Sequence, residues 1–430
     1  MNKKLKVGII GAGFGGLAAA YTLSKHGFEV SVFEGEEIPG GLAIGFEKDN
    51  WKWGLERHYH HWFTNDHSVL NLAKQIGHKV VITRPKTSTF VNGKIYQLDS
   101  PISLLKFSEI PLVDRIRTGL VLAFLKFTPD WKTLEKITAK DFLLHFGGKE
   151  TWKVLWEPLF IGKFQNFANK VPASWFWARI KKRTQSLAYP ERGFLDFAKN
   201  LESRIRKSQG KFFYGSIVKE INKNKDKIIL KTEKKVYKFD KVICTLPSPL
   251  FLNITKSLPR SYVNNFINLK GLGAVNLVLS LNKQFMTDGT YWLNINEIKH
   301  PYLAVVEHTN FMDKENYGNN HLIYVGNYLP HEHVYFNKEA DDLIKEFLPF
   351  LQKINPDFRR DWINEAWVFK ARFAQPVIPL NFSKNVPDFE TPIKGLYLCN
   401  IQQVYPWDRG TNYAVENGEK VADMIIKDNL

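Results

Sequence analysis

The chain opens on a glycine-rich turn set between an apolar strand and a helix of small residues, and few folds accommodate that order. Lys6-Val7-Gly8-Ile9-Ile10 reads as a buried strand. Gly11-Ala12-Gly13-Phe14-Gly15-Gly16 follows it, and Leu17 to Leu23 is rich in helix formers. Phe28 to Phe33 makes a second strand ending at Glu34. Gly11 permits the tight turn, Gly13 lets a backbone approach a pyrophosphate, and Gly16 lets the helix lie close to the sheet. The helix N-terminus turns unpaired N–H groups and a positive dipole end toward phosphate. Glu34 stands 23 positions after Gly11, where an acid accepts from ribose hydroxyls. The pattern predicts an α/β, Rossmann-like site for the ADP half of a dinucleotide, with the whole loop from Gly11 through Ala12, Gly13, Phe14 and Gly15 to Gly16 in contact with it. An acid at Glu34 repels a 2′-phosphate, which disfavours NADP.

At 430 residues the chain is too long for one simple core, and two interleaved domains are expected. Cys244 and Cys399 lie in apolar strand-like runs, as reduced buried thiols of an intracellular protein would. Met1 to Lys4 leads straight into the first strand without a signal peptide. No apolar run approaches the roughly 18–20 residues of a membrane span, so a cytoplasmic protein is expected. The net charge is +17. A solvated basic surface, an acidic substrate or an anionic membrane surface would each account for it. The lysines are scattered and no nucleic-acid-binding motif stands out, so nucleic acid is not expected as a partner. The oligomeric state stays open.

Ile38-Pro39-Gly40-Gly41-Leu42-Ala43 places a second glycine pair just after the second strand. This resembles flavoproteins of the amine oxidase, protoporphyrinogen oxidase and phytoene desaturase superfamily, which implies FAD. Relatives carry Arg or Lys after the pair; Leu42 stands here, so a charge near the cofactor is missing or comes from elsewhere. The resemblance recurs along nearly the whole chain. Tyr189 to Leu195 is similar to a P-x-G-G segment, and Ile217-Val218 to the strand whose valine backbone holds adenine. Asp240 to Pro247 resembles D-x-V-I-x-x-x-P, and Phe369 to Val377 resembles R-x-x-x-A-x-P. Gly395 to Gly418 resembles the ending L-Y-L-A-G-D followed by a helix aimed at the flavin. Asn400 takes the place of the Asp, and Ala414 and Val415 lie at the helix start. The layout implies an FAD-binding domain in three pieces, 1–85, 191–268 and 386–430. The substrate domain is then a mainly helical insert, 86–190, and a sheet with a helix, 269–385.

Three clusters are candidates for chemistry. Gly54 to Phe63 holds Glu56, His58, His60 and His61. It is open to structural or cofactor contact, to acid/base work by His58 or Glu56, or to metal; no cysteine or distant histidine cluster completes a metal set, and no metal is assigned. Gln402 to Tyr413 must run beside the cofactor. Tyr405, Trp407 and Tyr413 would wall the substrate cavity, and Arg409 would either pair with Asp408 or hold an acid. In the helical insert, core packing is the default, and Lys163, Arg179 and Arg183 are the residues suited to an acidic substrate. The helix over 112–127, with Arg115 and Arg117 beside leucines, either packs within its domain or rests on a membrane surface. The reaction expected from the resemblance is hydride transfer from a small organic substrate to flavin N5. The alternatives are a sugar-nucleotide mutase without net redox change and a protein that keeps FAD without turnover.

Overall fold

The computed structural model describes residues 4–429; Leu430 and Met1 to Lys3, on which the expectation of a start without a signal peptide rests, lie outside the described residues. A five-stranded sheet forms around Lys6–Ile10, with all strands parallel. Its order is Lys211–Phe213, Glu29–Phe33, Lys6–Ile10, Lys241–Cys244, Leu396–Leu398. Continuous apolar runs suit such strands because helices cover both faces. Cys399 donates its backbone N–H to the Cys244 carbonyl, and both thiols are free and buried. Lys227–Thr232 pairs antiparallel with Val236–Phe239 as a hairpin.

The helix Phe14–Lys25 buries Leu17, Ala18, Ala19, Ala20 and Leu23 completely. It packs against the last helix, Thr411–Lys427. Their contact runs through glycine. A Cβ on Gly418 would lie 2.2 Å from the Gly15 carbonyl oxygen, and one on Gly15 would lie 3.2 Å from that of Ala414. Gly16 is equally closed, since its Cβ would meet the Gly11 oxygen at 2.1 Å.

A second, seven-stranded sheet lies beyond this layer. Its order is Ile363–Val377, Lys270–Leu281, His321–Leu329, Ala304–Glu307, Thr290–Ile295, Lys86–Val91, Lys94–Gln97. The helix Ala340–Ile354 covers one face through Leu343, Phe347 and Leu351. Two features differ from the sequence reading. The insert expected to be mainly helical begins with a hairpin, 86–97, that extends this sheet. Phe369 to Val377, read only for its resemblance to R-x-x-x-A-x-P, belongs to a 15-residue strand, Ile363–Val377, paired along Lys270–Leu281. Its alternating polar residues hide it, because one face is open to solvent. Helices from Pro101 to Lys182 form the rest of the insert around Phe160, Phe164, Trp175 and Phe176.

Replacing Gly418 tests the helix contact. Gly418→Val forces the first and last helices apart and should lower stability by about 1–3 kcal/mol, read as a fall in melting temperature. An unchanged melting curve would show that the two helices part without cost.

Candidate functional site

The glycine loop, the second glycine pair and the start of the last helix meet at one end of the parallel sheet. Gly40 bridges to Gly13, and a Cβ on Gly41 would sit 2.8 Å from the Gly13 Cα. Gly11 has a φ of +103° and Gly41 of +59°, which only glycine adopts freely. The Glu34 carboxylate accepts from the Ala12 N–H at 2.7 Å and the Glu36 N–H at 3.0 Å, which leaves further lone pairs for ribose. Neither Phe14–Lys25 nor Thr411–Lys427 has a side-chain N-cap. Their first-turn N–H groups are thus free to meet an anionic or electron-rich group.

Among the described residues, Arg57 Nε and Gln402 Oε1 are buried without a partner. Arg57 donates its backbone N–H to the carbonyl of Ile44, two residues beyond Leu42. Its guanidinium lies 3.4 Å from the Glu36 carboxylate, two residues past Glu34, and over the Phe369 ring. The Asn400 side chain donates to the Leu246 carbonyl and to Ser248 Oγ, and accepts from the Gln402 N–H. It fastens the turn that carries Gln402. Val218 is buried at the start of Val218–Asn224, and Val415 is fully buried. A cradle closed to a Cβ at Gly11, Gly16, Gly40 and Gly41, with two uncapped helices, fits a dinucleotide such as FAD.

Beside the cradle lies a narrow gap of about 30 Å³, lined by Leu42, His58, His60, Asn276, Tyr328 and Arg409. Next to it a cavity of about 240 Å³ shares Tyr59, His60, Tyr328 and Arg409 with the gap. Arg409 thus faces both. Its Nε donates to Gln375 Oε1 at 2.9 Å, and a second nitrogen donates to the Tyr328 hydroxyl. It does not pair its guanidinium with Asp408, whose carboxylate lies 3.6 Å from Arg179 and 3.8 Å from Lys163. Lys163, Arg179 and Arg183, the cations picked out in the insert, all line the larger cavity.

The histidines divide their contacts. His58 Nδ1 accepts from the Asn276 amide, and His60 Nδ1 donates to the His58 carbonyl at 2.6 Å. His61 Nδ1 bonds the Tyr291 hydroxyl at 3.1 Å. Burial, reinforced by neighbouring cations, lowers His58 and His61 to about 3. Burial also lowers His60, to about 4. All three are neutral at pH 7. Two candidates are not brought to the cavity. Tyr405 turns into the insert, where its hydroxyl donates to Glu135 Oε2 at 2.6 Å. Trp407 stacks between Trp177, at 5.0 Å, and Tyr413, at 6.1 Å, outside the lining. Asn276, Tyr328 and Gln375 were not singled out in the sequence. The one signal available was a polar Asn276 in the middle of an apolar strand.

Glu56 caps a helix. It accepts from the Phe194 N–H at 2.9 Å, at the start of Phe194–Lys207, and from the Tyr189 hydroxyl at 2.8 Å. Burial raises its carboxyl to about 7, and those two hydrogen bonds oppose the rise. An acid raised on folding contributes stability that is complete below its unfolded value and lost as pH rises through the folded one. The melting temperature should therefore fall from about pH 5 to about pH 8 in the native protein more than in Glu56→Gln. Parallel profiles would show that Glu56 does not titrate in this window.

Comparison with known proteins bears on this arrangement. Zeta-carotene desaturase of Arabidopsis thaliana is 28% identical over 180 residues, 36% of this chain and 32% of the desaturase. The match thus takes in about a third of such curated relatives' length. The structure of a putative protoporphyrinogen oxidase from Exiguobacterium superposes with a TM-score of 0.77 at 15% identity, covering 100% of both chains. That of reduced UDP-galactopyranose mutase gives 0.78 at 16% identity, over 99% of this chain and 96% of the other. Residues 14–426 match the flavin containing amine oxidoreductases as a family. With its glycine cradle and last helix in the places described, the chain belongs to that family.

Proposed function

We propose that the protein is an FAD-dependent oxidoreductase acting on a small organic molecule in the 240 Å³ cavity. The observation that carries this is the meeting of two uncapped helix N-termini at a glycine cradle with a cavity directly alongside. FAD held there would supply the hydride acceptor, its N5, for oxidation of the substrate. The chain supplies position and electrostatics. Gly11 to Gly16 and Gly41 hold the pyrophosphate, Glu34 the ribose, and the Val218 backbone the adenine. Asn400 sets the turn that presents Gln402 Oε1. The start of Thr411–Lys427, at Ala414 and Val415, favours negative charge placed against it. Leu42 and His58 border the reacting gap, and Arg409 orients the substrate from the opposite side. Tyr59, Tyr291 and Trp292 exclude water. His60, its Nδ1 donating to the backbone, keeps Nε2 as an acceptor for a substrate N–H or O–H.

The cofactor part is assigned to 1–85, 191–268 and 386–430, since all five parallel strands come from these segments. The substrate part is 86–190 with 269–385. The cation-rich cavity favours a second reading, a mutase of a sugar nucleotide with no net redox change.

Purified protein should be yellow and release FAD on denaturation. Glu34→Ala should retain less of it, because a ribose acceptor goes and the Ala12 N–H loses its partner, at about 1–3 kcal/mol. Under anaerobic conditions an oxidisable substrate should bleach the flavin stoichiometrically. Turnover only after prior reduction, without net redox change, would favour the mutase. A colourless protein that refuses FAD would sink both.

The outer face of Leu112–Phe127 extends the reading to a membrane surface. The stripe Leu112, Val113, Ile116, Leu120, Phe124 and Phe127 is solvent-exposed, with Leu120 at 67% and Phe127 at 80%. Ile102 and Leu105 of the adjoining Pro101–Lys106 are exposed as well. Exposed Lys106, Lys132, Lys136 and Lys149 lie in the same region of the chain. Apolar residues backed by lysines suit an anionic bilayer that the helix lies on. Among the described residues no helix is long and apolar enough to cross one. Vesicles of phosphatidylglycerol should carry the protein upward in a flotation gradient. Leu120→Asp with Phe127→Asp should abolish flotation without changing the melting temperature. Equal flotation of the two proteins would refute the contact.

A further inference from the structure

The cavity is unusual in its charge. Five cationic side chains line it, Lys163, Arg179, Lys182, Arg183 and Arg409, against the carboxylates of Asp66 and Asp408. Asp66 is engaged by the Phe63 N–H, and Asp408 is shared by Lys163 and Arg179 at long distance, 3.8 and 3.6 Å. Among the described residues, neither Lys182 nor Arg183 forms an ion pair within 4 Å. The histidines that line the wall, His60 and His61, are neutral and offset nothing.

The cations are held instead by aromatic faces. Lys163 lies 4.9 Å from the Tyr328 ring centroid and 5.5 Å from that of Trp175. Arg179 lies 5.5 Å from the same Trp175 ring, and Lys182 5.0 Å from Trp407. Ring faces attract a cation without neutralising it. Excess positive charge in a partly desolvated wall is costly until an anion joins it. Lys163 registers that cost: burial first, then Arg179 and Arg409, push its ammonium well below its ordinary value, against the pull of Asp408.

We infer that this cavity selects a substrate bearing a phosphate or carboxylate group, received by Arg179 and Arg183 with Lys163 behind them. The inference rests on the reading of the cavity as the substrate site. Arginine suits the task because its planar fork meets two oxygens of either acid at once. Arg183, exposed at the rim, meets the acid first, and half-buried Arg179 holds it within. Leu159, Ile180, Trp292 and Leu303 supply apolar wall for the rest of the molecule. The acid then lies on the insert side, while Arg409 spans from the cavity to the gap at the cradle. The acidic group anchors one end, and the other is directed to the reacting gap.

Three probes of one shape separate charge from shape: phenyl phosphate, benzoate and neutral phenol. Each is titrated by calorimetry into FAD-loaded protein at constant ionic strength, and the FAD content is read separately by absorbance. Phenyl phosphate or benzoate should bind at least about tenfold more tightly than phenol, a difference one satisfied charge–charge hydrogen bond provides. The two acid arms tell phosphate from carboxylate. Arg179→Ala with Arg183→Ala should weaken the acid by at least about tenfold and leave phenol and FAD content unchanged. Should the double variant not fold, Arg183→Ala alone, at the rim, should still weaken the acid severalfold. Phenol binding as well as its charged counterparts would overturn the inference. So would no probe binding, or variants that bind the acid as the native protein does. Loss of FAD with the acid preference intact would instead count against the cofactor reading alone.

Discussion

Two helices touch here without side chains between them, and most of the structure hangs on that contact. The Gly418 Cα stands where any Cβ would strike the Gly15 carbonyl, and Gly15 in turn faces the Ala414 carbonyl. Close packing of this kind fixes the spacing of two N-termini as well as two helix axes. The glycine turn before the first helix is then set against the loop 400–410, which precedes the last. That loop supplies Asp408 and Arg409 to the cavity. One backbone contact therefore sets the register between the part of the chain that holds the cofactor and the part that meets the substrate.

Electrostatics follows from the same placement. The walls of the cavity come from the insert, the second sheet and the loop before the last helix. Asp408 joins them, since Lys163 and Arg179 lean on it from the insert. Burial alone would raise the Asp408 carboxyl, but those cations and Arg409 outweigh it and keep it low. Arg409 is tied to the second sheet through Gln375 and Tyr328. These contacts are specific because they are buried; the same pairs on the surface would be worth little. The histidines are buried as well, but without counter-charges, and are left neutral.

Much of the cofactor end was legible in sequence because it depends on local rules. Glycine spacing, an acid at a fixed distance and apolar strand runs need no tertiary information, and they placed Gly11 to Gly16, Glu34, Gly41 and the last helix. The cations Lys163, Arg179 and Arg183 could be named as a group, but only the fold decides that they share a wall. Tyr405 and Trp407 show the limit. An aromatic in a loop beside a cofactor reads as a wall residue, yet a one-residue change of direction sends its ring into the insert, where Glu135 and Trp177 take it. Asn276 was hidden for the opposite reason. Its strand is apolar on both sides, and only the approach of His58 from a distant segment gives its amide a use. The strand Ile363–Val377 escaped because its partner Lys270–Leu281 lies far away in sequence, and the place of the hairpin 86–97 in the second sheet escaped because it depends on the distant Thr290–Ile295.

The central strand Lys6–Ile10 has a further consequence for how the chain comes into being. One of its neighbours, Glu29–Phe33, follows after a single helix, but the other, Lys241–Cys244, lies more than two hundred residues on. The outermost strand, Leu396–Leu398, and the helix that closes the glycine contact come last of all. On a ribosome that adds residues from the N-terminus onward, the oldest part of the molecule must wait for the newest. Until then a strongly apolar edge stays open, and such edges pair with other chains when left exposed. The sheet that gathers the cofactor is therefore complete only once Leu396–Leu398 has been made, and a chain that stops short of Thr411–Lys427 has neither site complete.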